Sequence, residues 1–66
     1  QLRPGDPGAF YNLACSYTQV GDNDLALRSL ERALYLGYRD ISHMLRDADL
    51  ARLRRDPRFR KLVEKK

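Results

Sequence analysis

Cysteine and histidine are nearly absent from this chain of 66 residues, and it contains no long apolar run. Cys15 is the single cysteine and excludes an internal disulfide, and with His43 as the single histidine no Cys/His cluster can hold a structural metal. No run approaches the roughly 18 apolar residues of a membrane-spanning helix, and no charged-then-apolar leader is recognisable. We therefore expect a soluble, cytoplasmic piece of a longer protein, with one domain, no cofactor and a core of apolar packing alone.

The charge is unevenly distributed along the chain. Residues 1–38 carry three basic and four acidic side chains, whereas residues 39–66 carry ten basic and five acidic ones. The basic half could attract acidic proteins, nucleic acid or anionic lipid, so charge alone does not choose among these partners.

The beginning of the chain predicts a helix with one apolar face. In "RPGDPG", Asp6 is placed as a helix N-cap and Pro7 occupies the first helical position. Four apolar residues then recur at i, i+3, i+4 and i+7, namely Phe10, Leu13, Ala14 and Tyr17. Val20 extends the same side of the helix. We expect this stripe to pack against a second helix.

A short break leads to the second predicted helix. Gly21 suits a left-handed helix end, and the polar residues after it can cap the next helix: Asp22, Asn23 or Asp24. A second apolar stripe follows at Ala26, Leu30, Ala33 and Leu34. Gly37 ends this second helix. Because short loops make neighbouring helices antiparallel, we expect a helical hairpin over 7–37.

The pattern changes after Gly37. Asp40 is placed as a cap for a short apolar stripe at Ile41, Met44 and Leu45. The phrase "DADLARL" at 47–53 is too brief for more than a turn or two of helix. "DPRFRKL" at 56–62 combines a cap with a first-turn proline and predicts a last helix that carries Phe59, Leu62 and Val63.

The hairpin resembles the tetratricopeptide repeat, a unit of about 34 residues with the pattern W-x2-L-G-x2-Y, A-x3-F, A and P. The resemblance covers residues 7–37 and rests on Phe10, Leu13, Ala14, Tyr17, Ala26, Leu30 and Ala33. Phe10 replaces the tryptophan, Ala14 the glycine and Leu30 the aromatic residue, and Tyr38 replaces the proline. The implied fold class is all-α: a tetratricopeptide-like helix-turn-helix hairpin followed by short capping helices, as a fragment of an α-α superhelix.

The repeat register implies that the other residues lie at the end of an array. About 34 residues before Tyr38 lies Pro4, so residues 1–6 resemble the end of a preceding repeat. About 34 residues after Leu13 lies Asp47, and an aspartate at a buried-face position breaks the pattern. "LRRDPRF" resembles the ending that follows the last repeat in many bacterial members of the family. We interpret 38–66 as a capping region.

The resemblance also implies a function. In this family the first helices line a concave groove that receives an extended peptide or a partner protein, so we expect a scaffold-like protein-interaction module. The candidate contact residues lie beside the apolar stripe: Tyr11, Asn12, Cys15, Thr18 and Gln19.

Some members of the family hold a partner's C-terminal carboxylate with an asparagine and basic residues. Asn12 and Arg46 occupy two such positions, and an amide and a guanidinium can share a carboxylate. Ser42 occupies the position of the companion basic residue. The alternative is that Asn12 and Arg46 are ordinary surface residues.

Catalysis is not expected from this sequence. It shows no carboxylate pair, no nucleophile with its base, no phosphate-binding glycine loop and no metal set. We interpret Cys15 as a groove or packing residue and His43 as a surface residue.

Two alternatives to groove binding are kept. The chain could be a structural end piece that forms a homodimer through Phe10, Tyr17 and their neighbours. It could instead bind nucleic acid through its basic C-terminal run, although Asp56 and apolar residues interrupt that run. The run consists of Arg52, Arg54, Arg55, Arg58, Arg60, Lys61, Lys65 and Lys66.

Overall fold

The computed structural model describes residues 5–64, and within them the fold is all-α, without a strand. Expectations for Pro4, Lys65 and Lys66 lie outside the described residues. The elements, in order, are α1 (Pro7–Gln19), α2 (Asn23–Tyr35), α3 (Ile41–Arg46), a 3₁₀ turn (Ala48–Leu50), α4 (Ala51–Arg54) and α5 (Pro57–Glu64). None of the described helices is long and apolar enough to cross a bilayer.

Aspartate side chains cap the first three helices, as the sequence predicts. Asp6 accepts from the backbone N–H of Gly8 at 2.9 Å, Asp22 from that of Leu25 at 3.1 Å, and Asp40 from that of His43 at 3.0 Å. Each cap satisfies an N–H group that has no partner within its helix, which stabilises the helix by about 1 kcal/mol.

Glycine ends the hairpin helices in the left-handed conformation. Gly21 has φ 86° and Gly37 has φ 111°, a region that residues with a Cβ atom rarely adopt. The backbone N–H of Asp22 then bonds to the carbonyl of Tyr17 at 2.9 Å, and that of Tyr38 to the carbonyl of Ala33 at 2.9 Å. These bonds turn the chain at both predicted helix ends.

The core forms where α1 and α2 meet. Four residues of the predicted pattern are 0% exposed: Ala14, Ala26, Leu30 and Ala33. The three alanines let the helix backbones approach closely, and Leu30 contributes about 1.5–3 kcal/mol through its burial. The predicted burial of these four residues is confirmed.

The residues after the hairpin share the same core. Met44, Leu50, Leu53 and Phe59 are buried against it, and Leu62 and Val63 pack at its edge. Residues 38–64 are therefore an integral part of the folded unit. The expectation for Leu45 was wrong, because α3 is short and turns this side chain towards solvent.

The buried face of α1 differs from the predicted stripe. Ala14 is buried as expected, but Phe10, Leu13 and Tyr17 are only half-buried and Val20 is exposed. The helix instead buries Ala9, Tyr11, Ala14 and Thr18. The stripe prediction erred because it considered only the contact with α2, whereas the 3₁₀ turn and α4 cover an adjoining side of α1.

Candidate interaction face of the first helix

Asp47 joins three elements around the first helix. The hydroxyl group of Tyr11 in α1 donates to Oδ2 of Asp47 at 2.5 Å, and Nε2 of His43 in α3 lies 3.2 Å from the same oxygen. The other oxygen, Oδ1, accepts from the backbone N–H of Asp49 at 2.9 Å and so caps the 3₁₀ turn. One carboxylate thus fixes α3 and the turn against α1.

Arg54 supports this arrangement from α4. Its Nη1 atom donates to the backbone carbonyl of Asp47 at 2.6 Å and to that of Met44 at 3.2 Å. These carbonyls lie at the end of α3, where no further helical turn supplies donors. Arg54 therefore holds the chain in the bend that places Asp47 beside Tyr11.

The ring of Tyr11 is covered by the segment that follows the hairpin. Tyr38 stacks on it, with ring centroids 4.5 Å apart and planes 6° from parallel, and the His43 ring lies 5.9 Å away. Tyr11 is consequently only 6% exposed. An offset aromatic pair of this kind contributes about 0.5–1.5 kcal/mol beyond its buried area.

The proton equilibria follow from these contacts. The hydrogen bond from Tyr11 holds the pKa of Asp47 below its usual value of 3.8. Burial, and then the same hydrogen bond, raises the pKa of Tyr11 far above its usual value of 10.0. At neutral pH the pair is therefore a phenol donating to a carboxylate, which is a charge-assisted hydrogen bond.

Cys15 lies beside this pair but is poorly suited to reaction. Its Sγ atom is 4.0 Å from Oδ2 of Asp47, and burial together with the Asp47 charge raises the pKa of the thiol to about 11. The thiolate is the nucleophile and the metal ligand, so a thiol that stays protonated at neutral pH is unreactive.

Metal binding is not favoured here either. Ligand atoms of Cys15, Asp47 and Asp49 lie within 4.8 Å of one another. The thiol is protonated, however, and both carboxylate oxygens of Asp47 already accept hydrogen bonds. A cation would have to displace these bonds.

Thr18 and Gln19 differ in their accessibility. Thr18 is 1% exposed, and its hydroxyl group donates to the carbonyl of Ala14 at 2.7 Å. Gln19 is exposed, and its Nε2 atom donates to Oδ1 of Asp49 at 3.3 Å. Gln19 can exchange that surface bond for one to a partner, whereas Thr18 is enclosed.

Asn12 and Arg46 are both exposed. The Nε atom of Arg46 donates to the carbonyl of Ser42 in its own helix at 3.1 Å. Among the described residues no hydrogen bond joins Asn12 to Arg46. Of the six predicted contact residues, the structure brings Tyr11 and Cys15 together at Asp47 and leaves Asn12, Gln19 and Arg46 open to solvent.

An uninterrupted polar line remains on the surface of α1. Asn12, Ser16 and Gln19 are all exposed and fall at i, i+4 and i+7, so they share one side of the helix. The sequence did not identify Ser16 as a contact residue, and it did not predict that Asp47 accepts a hydrogen bond from Tyr11. The one signal for Asp47 was an aspartate where the repeat register expects a buried apolar residue.

No family model and no solved structure matches the chain. A curated relative does match: a chloroplastic protein from Arabidopsis thaliana is 38% identical over 56 residues. The match covers 85% of this chain and 17% of that protein, so the chain corresponds to a small part of its relative.

Proposed function

We propose that the chain is a non-enzymatic protein-interaction module of the tetratricopeptide type, which presents the exposed side of α1 to a peptide or partner protein. The hairpin supports this proposal, since Leu30 and the alanines of the repeat pattern are buried where its two helices meet. The name of the relative identifies no binding partner, and the chloroplast location in that name applies only to the relative itself. A cytoplasmic location and a bacterial source for this chain stay predictions.

The observation that carries the proposal is the polar line of Asn12, Ser16 and Gln19. These side chains are exposed on a helix whose adjoining side is fixed by the Tyr11–Asp47 contact. A rigid helix face offers amide and hydroxyl groups at fixed spacing, so a partner segment can be bound without ordering the site first. Burial of Tyr11 and Thr18 removes both from the predicted contact residues. The proposed contact surface is therefore the polar line together with Arg46 and the half-buried Cys15.

A second candidate function rests on a different observation. Phe10, Leu13 and Tyr17 are only half-buried and Val20 is exposed, and their spacing puts them on one side of α1. Such an apolar strip favours the structural alternative, in which two copies associate. Leu13→Glu should abolish dimerisation in sedimentation if this alternative holds. A monomer at high concentration for the unmodified chain contradicts it.

Nucleic-acid binding is the weakest proposal of the three. Arg58, in the middle of the basic run, is already paired with Asp24 and Asp56, each at 2.7 Å. Retardation of an oligonucleotide at low salt, lost on adding salt, would support it.

The test of the main proposal is quantitative capture of a partner by the full-length protein. Asn12→Ala combined with Gln19→Ala should reduce capture of a specific protein at least tenfold, because both side chains lie at the surface where contact is proposed. Arg55→Ala is the matched control, since Arg55 is exposed in the capping region. Equal capture by all forms, with helicity and melting temperature unchanged, contradicts the proposal.

A further inference from the structure

We propose that a groove between α2 and α5 is a second docking site, and that it takes an acidic polypeptide segment with at least one apolar side chain. This groove shares no residue with the polar line of α1. The inference is therefore independent of the function proposed for that face.

The groove has an apolar floor and a charged rim. Leu27 of α2 is buried and Leu62 of α5 is half-buried, and both line a hollow of about 450 Å³. This volume falls within the roughly 300–1,000 Å³ of typical binding clefts. The floor can cover an apolar side chain, while polar groups at the rim stay accessible to a backbone or to charged side chains.

The rim has a surplus of positive charge. Arg58 divides its guanidinium between Asp24, which lines the groove, and Asp56, which does not, so it offsets one of these two negative charges. Arg28 and Lys61 also line the groove, and neither has a described carboxylate within 4.0 Å. Glu31 is the remaining acidic group of the rim.

The surface continues along α2 towards its C-terminal end. A second hollow of about 280 Å³ adjoins the first, since Arg28 and Glu31 line both, and it reaches Arg32 and Tyr35. The guanidinium of Arg32 lies 5.3 Å from the centre of the Tyr35 ring, and Tyr35 is 76% exposed. Arginine and tyrosine are among the residues that most often dominate binding at protein interfaces. A cation over the ring also limits its freedom before binding.

The length of this surface fits a short extended segment. Asp24 and Tyr35 lie at the two ends, and at 1.5 Å per helical residue they are separated by about 16 Å. An extended chain advances about 3.3 Å per residue, so about five residues span the surface.

The charges favour an acidic peptide over the other occupants. The two hollows are lined by four basic and two acidic side chains. A partner with carboxylates therefore gains charge-assisted hydrogen bonds. A phosphate polymer would meet the carboxylates of Asp24 and Glu31 and could not use the apolar floor. A second copy of this chain carries a net charge of +4, which disfavours its binding at this basic rim.

The test uses the chain with three fluorescent probes: a hexapeptide of alternating glutamate and leucine, the same peptide with glutamine for glutamate, and a single-stranded oligonucleotide. We expect the acidic peptide to bind at least tenfold more tightly than the glutamine peptide, with an affinity that falls as salt is added. Arg28→Glu combined with Lys61→Glu should weaken it at least tenfold, and Tyr35→Ala severalfold. All three residues are exposed, so circular dichroism should show intact helices.

The control variant is Asn12→Ala with Gln19→Ala, which should bind the acidic peptide like the unmodified chain. Tighter binding of the oligonucleotide overturns the inference, and so does equal binding of the two peptides or unchanged affinity after charge reversal. The charge-reversal variant tests the groove between α2 and α5, whereas the α1 variant tests the polar line. A negative result for the groove therefore leaves the proposed function of α1 untouched.

Discussion

The hydroxyl group of Tyr11 in α1 donates a hydrogen bond of 2.5 Å to Asp47, which lies 36 positions later in the chain. This contact ties the hairpin to the segment that follows it. A small domain has little stability to spare. We therefore expect this one bond to be visible in unfolding experiments.

Tyr11→Phe should lower the free energy of unfolding by about 1–3 kcal/mol, since a hydrogen bond to a charged group contributes about that much. For a domain of this size the midpoint of thermal unfolding should fall by roughly 4–8 °C per kcal/mol. Tyr35→Phe is the matched control, because the Tyr35 side chain is exposed. Equal midpoints for the two variants would show that the Tyr11 bond contributes nothing.

Acid should weaken the fold through Asp47. Its pKa is lower in the folded chain than the usual 3.8, so its stabilising contribution is complete above that pH and is lost as the pH falls towards the folded value. Asp56 acts in the same direction, because hydrogen bonds from Arg58 lower its pKa to about 2.

Urea unfolding at a series of acidic pH values measures whether the free energy of unfolding falls with pH in this way. Stability of the unmodified chain should fall more steeply below about pH 4 than that of Asp47→Asn, which has no charge to lose at this position. Parallel curves for the two proteins would contradict the assignment.

The segment after the hairpin should be needed for folding. Leu50→Ala removes a side chain buried between the 3₁₀ turn and the hairpin, and we expect a loss of about 2–5 kcal/mol. Leu45→Ala, a few residues earlier, changes an exposed leucine and should stay within about 0.5 kcal/mol. Chemical denaturation of both variants provides the measurement, and similar losses would argue against a shared core.

Cys15 should react slowly with a disulfide reagent such as dithionitrobenzoate. Its pKa is raised from 9.0 to about 11, which lowers the thiolate fraction at neutral pH about a hundredfold. Asp47→Asn removes a negative charge next to the sulfur and should speed the reaction. A rate equal to that of an unfolded control would contradict the environment described for this thiol.

Local features of the fold could be predicted from the sequence because they depend on near neighbours. Asp6, Asp22 and Asp40 each bond to an N–H group two or three positions away, and Gly21 and Gly37 adopt their conformation within a single turn. These signals act over a few residues and are read directly from the chain.

The candidate site could be predicted only in part, because it depends on a contact across most of the chain. Periodicity groups Tyr11, Cys15 and Gln19 on one side of α1, but it contains no information about what covers that side. The structure places Tyr38 and Asp47 there. Burial of Tyr11 follows from this tertiary packing, whereas the exposure of Asn12 agrees with the helical pattern.

The surface proposed for α1 requires that Asn12 and Gln19 are open while Tyr11 and Thr18 are covered. Paramagnetic line broadening by a soluble gadolinium chelate measures this directly in solution. We predict strong broadening of the side-chain amide signals of Asn12 and Gln19, with the Tyr11 ring and the Thr18 methyl group protected. Strong broadening of Tyr11 and Thr18, equal to that of Asn12, would contradict the account.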